Sequence, residues 1–172
     1  MKYKAAIITV SDKGSRGERE DKSGPSLAEM LKDSYDMTNI MIVPDEADVI
    51  ADAIKKLIDE QRVDVVITTG GTGLSSRDVT PEATRMVIEK ELPGFAEIMR
   101  IESYKITPHG IISRAICGTR RESIILNLPG SPKAATECLA FVMAALPHAL
   151  SKLKGDTADC GSTLPTQRPR LH

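Results

Sequence analysis

The fold is decided by the stretch Val63–Glu82, which reads VDVVITTGGTGLSSRDVTPE. Its first part, Val63–Thr69, is mostly β-branched, which is typical of a strand buried on both faces of a parallel sheet. The GGTG that follows at 70–73 allows the backbone to approach a ligand closely. Thr80-Pro81-Glu82 then has the composition of a helix start, with the threonine as its N-cap. A strand, a glycine loop and a helix N-terminus in this order direct backbone N–H groups toward an anion.

The glycine loop alone does not define a nucleotide-binding motif. It lacks the GK[ST] ending of a P-loop, and GGTG does not have the GxGxxG spacing of the dinucleotide fingerprint. A tight turn between a strand and a helix would also account for the glycines. Asp78 and the Thr-Pro-Glu helix start favour a phosphate or metal site instead.

The composition argues against several classes of function. The 172 residues suffice for one domain, and 41% hydrophobic with 27% charged residues is ordinary for a globular protein. A net charge of −1 and the lack of tryptophan argue against nucleic-acid binding. No apolar run is long enough for a membrane span, and the N-terminus does not have the pattern of a signal peptide. Cys117, Cys138 and Cys160 have no metal or disulfide spacing, which favours small apolar roles in the cytoplasm.

Strands and helices alternate along the chain, which predicts a single-domain, three-layer α/β/α fold with a mostly parallel sheet. The predicted strands are Lys4–Val10, Tyr35–Val43, Val63–Thr69 and Ser123–Leu128. The predicted helices begin near Ser23, after Asp45, at Thr80 (to about Lys90), at Phe95 (to Tyr104, after a break at Leu92-Pro93-Gly94) and at Pro132, where Pro147 should kink or split the last one. Ile111–Ile116 is a weak apolar segment, and 14–22 is a long charged loop. We expect the domain to span residues 1–154 and the remainder, 155–172, to be a flexible tail.

The turns that follow the strands carry the unusual residues. Parallel strands end at one edge of the sheet, where ligands bind, so these turns should converge. Asp45 and Asp78 would then supply two carboxylates, and Mg²⁺ typically uses one or two carboxylates with substrate phosphate oxygens. The turn residues expected at this edge besides the two aspartates are Ser11, Asp12, Thr69, Gly70, Gly71, Thr72, Gly73, Pro129, Gly130 and Ser131.

Each candidate has a structural alternative. Asp45 would serve equally as the N-cap of the helix that follows it, and Asp78 as a turn former. Ser11 with Asp12 would form a plain turn, and Ser131 is a cap whether or not it contacts an anion. The remaining alternatives are a surface role for Arg114, a loop position without catalysis for His109, and either a solvated face or a lid for the loop 14–22.

Several motifs together resemble the MogA-type molybdopterin adenylyltransferases. They are Ser11-Asp12, Pro44-Asp45, TTGGTG at Thr68–Gly73, RDVTPEAT at Arg77–Thr84, PGF at Pro93–Phe95, Ser113-Arg114 and LNLPGSPKA at Leu126–Ala134. The resemblance covers residues 4–153. The same fold occurs in the MoaB-type proteins and in the G domain of gephyrin. TPEAT and PGFAEIMR favour the MogA branch, whereas PGSP also occurs in MoaB-type chains.

The resemblance implies a reaction in molybdenum cofactor biosynthesis. ATP and molybdopterin would give adenylyl-molybdopterin and pyrophosphate with Mg²⁺, and the aspartates matching Asp45 and Asp78 would be required. The glycine loop would contact phosphate and pterin groups, and the pocket would also include Ser11, Asp12, Ser113, Arg114 and the PGSP loop. The resemblance further implies a homotrimer that contacts molybdopterin synthase and a metal-insertion protein.

The chemistry of the nucleophile indicates how the aspartates would act. The terminal phosphate of molybdopterin is a monoester with a second pKa of about 6, so it is mostly ionised at neutral pH and needs no general base. The step needs charge neutralisation and in-line positioning at the α-phosphate. We therefore expect Asp45 and Asp78 to act through Mg²⁺ rather than by proton abstraction.

Three other functions remain open from the sequence. A MoaB-type binding protein would hold molybdopterin without strong catalysis and would release no pyrophosphate. A flavodoxin-like flavin binder would be yellow as purified. A structural scaffold, as gephyrin is, is disfavoured because the sequence shows no linker or second domain.

Overall fold

A six-stranded sheet with helices on both faces forms residues 2–157, the part of the chain that the computed structural model describes. The strands are β1 Tyr3–Val10, β2 Tyr35–Val43, β3 Val65–Thr69, β4 Lys90–Glu91, β5 Cys117–Arg120 and β6 Ser123–Leu128. The helices are α1 Asp12–Ser15, α2 Ser23–Leu31, α3 Ala47–Lys55, α4 Thr80–Arg85, α5 Pro93–Ile106, α6 Pro132–Val142 and α7 Leu146–Leu153. A π-helical turn, Lys56–Glu60, extends α3, and a 3-10 helix, Pro108–Ile112, follows α5.

The sheet is parallel where the expected site lies. Its strand order is β2-β1-β3-β6-β5-β4; the first four strands run parallel, and β5 and β4 are each antiparallel to the preceding neighbour. The register places Ile7 beside Ile67, and Ile67 beside Leu126. The carboxyl ends of β2, β1, β3 and β6 therefore meet at one edge, which confirms the three-layer, mostly parallel fold.

Alternate side chains of the central strands enter two separate hydrophobic cores. Ala5 and Ile7 of β1 pack with residues of α2, α5, α6 and α7. Ala6 and Ile8 pack with residues of α3 and α4 on the other face. Because both faces are covered, every residue of β3 is buried, which explains its nearly continuous β-branched composition.

A buried polar network joins the sheet to α4. The side-chain nitrogen of Asn127 donates to the hydroxyl oxygens of Thr68, at 3.0 Å, and Thr84, at 2.9 Å. Its side-chain oxygen accepts the N–H of Ile116 at 3.3 Å. All three amide hydrogen bonds are satisfied by protein groups, so Asn127 links β6, β3, α4 and the segment that leads into β5.

Replacing Asn127 by leucine should lower the free energy of unfolding by about 2–4 kcal/mol, because it leaves two hydroxyls and one N–H buried without this partner. Urea denaturation followed by circular dichroism would measure it. Asn39→Leu on the edge strand β2, whose side chain is only partly buried, is the matched control and should change stability by less than about 0.5 kcal/mol. Equal losses in the two variants would contradict the role given to the network.

Strands β4 and β5 were not predicted from the sequence. α4 ends at Arg85 rather than near Lys90, and the chain then enters the two-residue strand β4. The apolar segment 111–116 divides between the end of the 3-10 helix and the approach to β5. A tight turn joins β5 to β6 and holds Arg121 at φ +52°. Gly, Asn or Asp usually occupies such a turn position, and because Arg121 stands there instead, the sequence shows no hairpin pattern.

Three predicted helix starts are also wrong in detail. Thr80 is the first residue of α4 rather than its N-cap, and its hydroxyl donates to the carbonyl of Gly70 at 2.8 Å. Glu46 rather than Asp45 occupies the N-cap position of α3. Pro93, predicted to break a helix, begins α5 at the position that tolerates a missing N–H.

The C-terminal region agrees with the sequence where the structure describes it. Pro147 lies at the start of α7, which it separates from α6 as predicted. Cys117 and Cys138 are buried and free, whereas Cys160 and the predicted tail from residue 158 onward lie outside the described residues. Within residues 2–157, no helix taken singly has the length and apolar character needed to cross a membrane; α6 and α7 pass that test only jointly, as a pair bent by 59°.

Candidate active site

Two glycine-containing loops pack against each other at the carboxyl edge of the sheet. We call residues 70–73 the β3 loop and residues 129–131 the β6 loop. The N–H of Gly70 donates to the carbonyl of Leu128 at 3.1 Å, and the Thr69 hydroxyl donates to the carbonyl of Pro129 at 2.7 Å. A Cβ on Gly130 would lie 3.2 Å from the Cα of Gly70. The predicted convergence of these turns is therefore observed, and the two loops form one unit.

The β3 loop has a conformation that only glycine accommodates well. Gly70 has φ +102°, and a Cβ there would lie 2.4 Å from the carbonyl oxygen of Val10. Gly71 has φ +64°, and a Cβ there would lie 2.3 Å from the hydroxyl oxygen of Thr80. Within residues 2–157, the backbone N–H groups of Gly71, Thr72 and Gly73 donate to no protein acceptor, as expected of a loop that binds an anion.

The two loops separate two adjoining chambers. The charged chamber, of about 880 Å³, contains Asp45, and the apolar chamber, of about 440 Å³, contains Asp78. Gly71 and Gly130 line both chambers. Of the other predicted site residues, the charged chamber includes Ser11, Thr69, Gly70 and Ser131, and the apolar chamber includes Thr72, Gly73, Ser113 and Pro129.

The charged chamber also contains residues that sequence reasoning did not select. Arg19 and Lys22 of the charged loop line it, together with Glu20 and Asp21. Asp21 accepts the N–H groups of Ser23 and Gly24, each at 3.0 Å, and so caps the start of α2. An aspartate shortly before a Ser-Gly-Pro helix start is a capping signal, and this signal could have identified Asp21 from the sequence.

The start of α6 also faces this chamber. The hydroxyl of Ser131 accepts the N–H of Ala134 at 3.5 Å, which confirms the predicted cap, and Ser131 with Pro132 lines the wall. The first turns of α2 and α6, where each helix dipole is positive, thus border the chamber that holds Arg19 and Lys22.

The apolar chamber has a different character. Much of its wall is hydrophobic, with Met99 and Ile106 of α5 and Cys138 of α6, and burial raises the pKa of the Cys138 thiol. Arg100 also lines it, donating to the carbonyl of Ala115 at 2.9 Å. His109 lies in this wall, although the sequence indicated only a loop position.

Asp45 is held by reciprocal hydrogen bonds with Asp12. The N–H of Asp12 donates to Oδ2 of Asp45 at 2.7 Å, and the N–H of Asp45 donates to Oδ1 of Asp12 at 3.0 Å. That N–H and the Arg77 guanidinium lower the pKa of Asp12. Burial raises the pKa of Asp45, to which the negative charges of Asp12 and Asp78 add. Asp12 lines neither chamber, although the sequence placed it among the binding residues.

Asp78 is held by a turn that Arg114 supports. Oδ2 of Asp78 accepts the N–H of Ser75 at 2.8 Å. The guanidinium of Arg114 donates to the carbonyl oxygen of Gly73 at 2.7 Å, to the carbonyl of Asp78 and to the carboxylate of Glu82, whose pKa it lowers. Arg114 therefore contacts the β3 loop and its turn and lines neither chamber.

The donor set fits a magnesium ion that shares its coordination with a phosphorylated substrate. Within residues 2–157, Oδ1 of Asp45 and Oδ1 of Asp78 have no hydrogen-bond partner, so each carboxylate keeps one oxygen for a ligand. The same part of the chain has no cluster of three His, Cys, Asp or Glu side chains that could enclose a metal. Two carboxylates with substrate oxygens completing the shell is the arrangement usual for Mg²⁺.

An α/β domain with two loops of this kind and two aspartates at the carboxyl edge of its sheet has the features of a binder of phosphorylated small molecules. The chain belongs to the family described as the probable molybdopterin binding domain, which matches residues 6–148.

Named relatives agree with this family. A molybdopterin adenylyltransferase of Helicobacter pylori J99 is 44% identical over 154 residues, covering 87% of each chain. The molybdenum cofactor synthesis protein cinnamon of Drosophila melanogaster is 42% identical over 154 residues, and the chain spans 26% of its length. The crystal structure of the molybdopterin biosynthesis enzyme MoaB from Thermus thermophilus superposes with a TM-score of 0.85 at 44% identity, covering 89% of this chain and 97% of that one.

Proposed function

We propose that this chain is a molybdopterin adenylyltransferase of molybdenum cofactor biosynthesis. It transfers the adenylyl group of ATP to molybdopterin and releases pyrophosphate. Curated adenylyltransferases align over most of the chain. The observation that carries the proposal is the pair of adjoining chambers, each with one aspartate, because the reaction joins two substrates through their phosphates.

The residues of the site have separate roles in this reaction. Gly71, Thr72 and Gly73 offer unpaired N–H groups to phosphate oxygens, and Asp45 and Asp78 would hold the metal. Bound Mg²⁺ would supply charge neutralisation at the α-phosphate. An oxygen of the molybdopterin phosphate attacks the α-phosphorus of ATP, the bond to the bridging oxygen breaks, and pyrophosphate leaves in line. Neither aspartate takes a proton, because the nucleophile is already ionised.

The remaining predicted residues support the same site. Ser11, Thr69, Gly70, Gly130 and Ser131 shape the charged chamber, and Ser113 and Pro129 shape the apolar one. We assign Asp12 and Arg114 to holding Asp45 and the β3 loop, respectively. Residues 1–154 make up the catalytic domain in this proposal, and the flexible tail stays a prediction.

Arg19 and Lys22 should bind the β- and γ-phosphates of ATP. Neither side chain has a partner within residues 2–157, and both line the charged chamber. Arg19→Gln and Lys22→Gln should each weaken the binding of inorganic pyrophosphate and ATP about fivefold or more and leave AMP binding within twofold, since only the former carry those phosphates. Isothermal titration measures all three. Lys13→Gln, an exposed lysine lining neither chamber, is the matched control. An equal loss for AMP would contradict the assignment.

The proposed function is tested by measuring pyrophosphate release from ATP and Mg²⁺ with and without molybdopterin. Release that depends on molybdopterin is the expected result. Tight molybdopterin binding without pyrophosphate would favour the MoaB-type binding protein, the second candidate. A yellow protein as purified would favour a flavin binder instead.

We further propose a homotrimer. Ile101 and Tyr104 of α5 and Ile111 of the 3-10 helix are each more than half exposed and line neither chamber, an apolar surface that a second copy would cover. Sedimentation analysis tests this state. A cytoplasmic location and contacts with molybdopterin synthase and a metal-insertion protein stay predictions of the family resemblance.

A further inference from the structure

We propose that Arg77 is a positioning residue that fixes the Asp45 carboxylate through Asp12. The inference rests on the proposed function, because it concerns the metal-binding carboxylates of that site. The Arg77 side chain hydrogen-bonds to Asp12 rather than to Asp45, and it lines neither chamber, so its hydrogen-bonded connection to Asp45 runs through Asp12.

Arg77 and Asp12 form a two-pronged ion pair between loops that are far apart in sequence. Nε of Arg77 donates to Oδ2 of Asp12 at 3.0 Å. One terminal nitrogen donates to Oδ1 at 2.9 Å and to Oδ2 at 2.8 Å. Both carboxylate oxygens are therefore engaged, which fixes the plane of the Asp12 carboxylate as a single-point contact from lysine would not.

The orientation of Asp12 determines that of Asp45. Oδ1 of Asp12 accepts the Asp45 N–H while the Asp12 N–H donates to Oδ2 of Asp45, so the two residues hold each other through side chain and backbone. This pairing leaves Oδ1 of Asp45 directed at the β3 loop, 3.4 Å from the position of a Cβ on Gly71. The guanidinium also offsets the charge of Asp12, which otherwise stands beside a second carboxylate.

Arg77 also connects the two candidate metal ligands. It immediately precedes Asp78, whose carboxylate is held within its own turn by the N–H of Ser75. Its side chain crosses to the turn after β1, where Asp12 binds Asp45. One side chain thus ties the turn that carries Asp78 to the turns that hold Asp45, and so restrains how far apart the two carboxylates lie.

The pair is not needed to hold the fold together. The side chains of Arg77 and Asp12 are 57% and 28% exposed, and ion pairs with this exposure contribute little to stability. A precise carboxylate orientation is, by contrast, what metal affinity depends on, and partners behind a ligand commonly change that affinity roughly 10–100-fold when removed.

The experiment uses Mn²⁺ alone as the probe, with the signal of free Mn²⁺ measured by electron paramagnetic resonance on the full chain. We expect the wild type to bind one Mn²⁺ that Asp45→Asn abolishes. Arg77→Gln should weaken Mn²⁺ binding about tenfold. Arg77→Lys should recover part of the loss, because lysine keeps the positive charge but cannot make the two-pronged contact of the guanidinium. Arg16→Gln removes a similar two-pronged pair, with Glu18, in a neighbouring loop; Arg16 makes no hydrogen bond to Asp12 and acts on it through charge alone, so this variant should change Mn²⁺ affinity much less than Arg77→Gln.

The double variant distinguishes positioning from a general loss of structure. Asp12→Asn combined with Arg77→Gln should bind Mn²⁺ little worse than either single variant, because both substitutions disrupt the same series of hydrogen bonds from Arg77 through Asp12 to Asp45. Thermal unfolding should stay within a few degrees in every variant. Wild-type affinity in a folded Arg77→Gln variant would overturn the inference, and so would a wild type that binds no Mn²⁺ through Asp45. The proposed function would stand or fall separately, on molybdopterin-dependent pyrophosphate release.

Discussion

Asp78→Asn is expected to lower the rate of molybdopterin-dependent pyrophosphate release by about a hundredfold or more, and Asp45→Asn by a similar factor. Each substitution replaces a charged metal ligand with a neutral amide that binds Mg²⁺ weakly. Asparagine keeps the acceptor oxygen that receives the N–H of Ser75 or Asp12, so the fold should be preserved. Asp48→Asn, an exposed acid near Asp45 in the chain, is the matched control and should retain full activity.

The metal dependence of the two variants tests how the aspartates act. If they serve the metal, raising Mg²⁺ or Mn²⁺ should recover part of the lost rate. A deficit that stays constant at every metal concentration, together with loss of the acidic limb of the pH profile, would instead identify a general base and contradict our interpretation.

The pH dependence of the wild type follows from the same geometry. Burial raises the pKa of Asp45, so protons compete with the metal at a higher pH than they would at an exposed aspartate. The pKa of Asp12 is lowered, so its pairing with Arg77 persists as pH falls past the ordinary aspartate range. On acidification, metal binding should therefore decline before the positioning contacts are lost.

Gly70→Ala is expected to lower the free energy of unfolding by about 3 kcal/mol or more. Alanine would have to adopt φ +102° and place its methyl 2.4 Å from the backbone oxygen of Val10, which cannot move without disturbing β1. Chemical denaturation measures the change. Because the β3 loop would shift with the methyl group, ATP binding should also be lost at temperatures where the variant remains folded.

Substitutions at two other glycines distinguish the cost of a positive φ from the cost of a steric collision. Gly17 also has a positive φ, of +74°, but a Cβ there meets nothing within 4 Å, so Gly17→Ala should cost only about 1 kcal/mol. Gly94 lies in the first turn of α5 with open space around it, and Gly94→Ala should be neutral or slightly stabilising. Equal effects at Gly70 and Gly17 would mean that the collision with Val10 is relieved and the loop tolerates a side chain.

Sequence patterns predict the parallel half of this protein well because their signals are local. β2 and β6 have the predicted bounds, since a run such as SIILNL between turn residues is a strong strand signal. β4 and β5 are missed because a two-residue strand has no periodicity and because Arg121 adopts a conformation that is unusual for its residue type. The pattern indicates the long α5 but misplaces its start, because Pro93 is as typical of a helix break as of a first turn.

The site was predictable in position but not in detail. That Asp45 and Asp78 lie at the edge near the glycine loops follows from the alternation of strands and helices alone. That Arg77 binds Asp12, and Asp12 binds Asp45, depends on side chains from separate turns meeting in space. No spacing in the sequence indicates such a contact. The contribution of Arg19 and Lys22 was hidden in a charged loop whose composition is equally typical of a solvated surface.

The residues that the two chambers share in their linings, Gly71 and Gly130, have no side chains. Where Gly71 and Gly130 line both spaces, nothing bulkier than a backbone keeps one ligand from the other. Reacting atoms must come within about 3–3.5 Å, and a partition of ordinary side chains would hold them farther apart. Because only backbone separates the two spaces at these glycines, two large substrates can be held close at their phosphates while the rest of each stays in its own compartment.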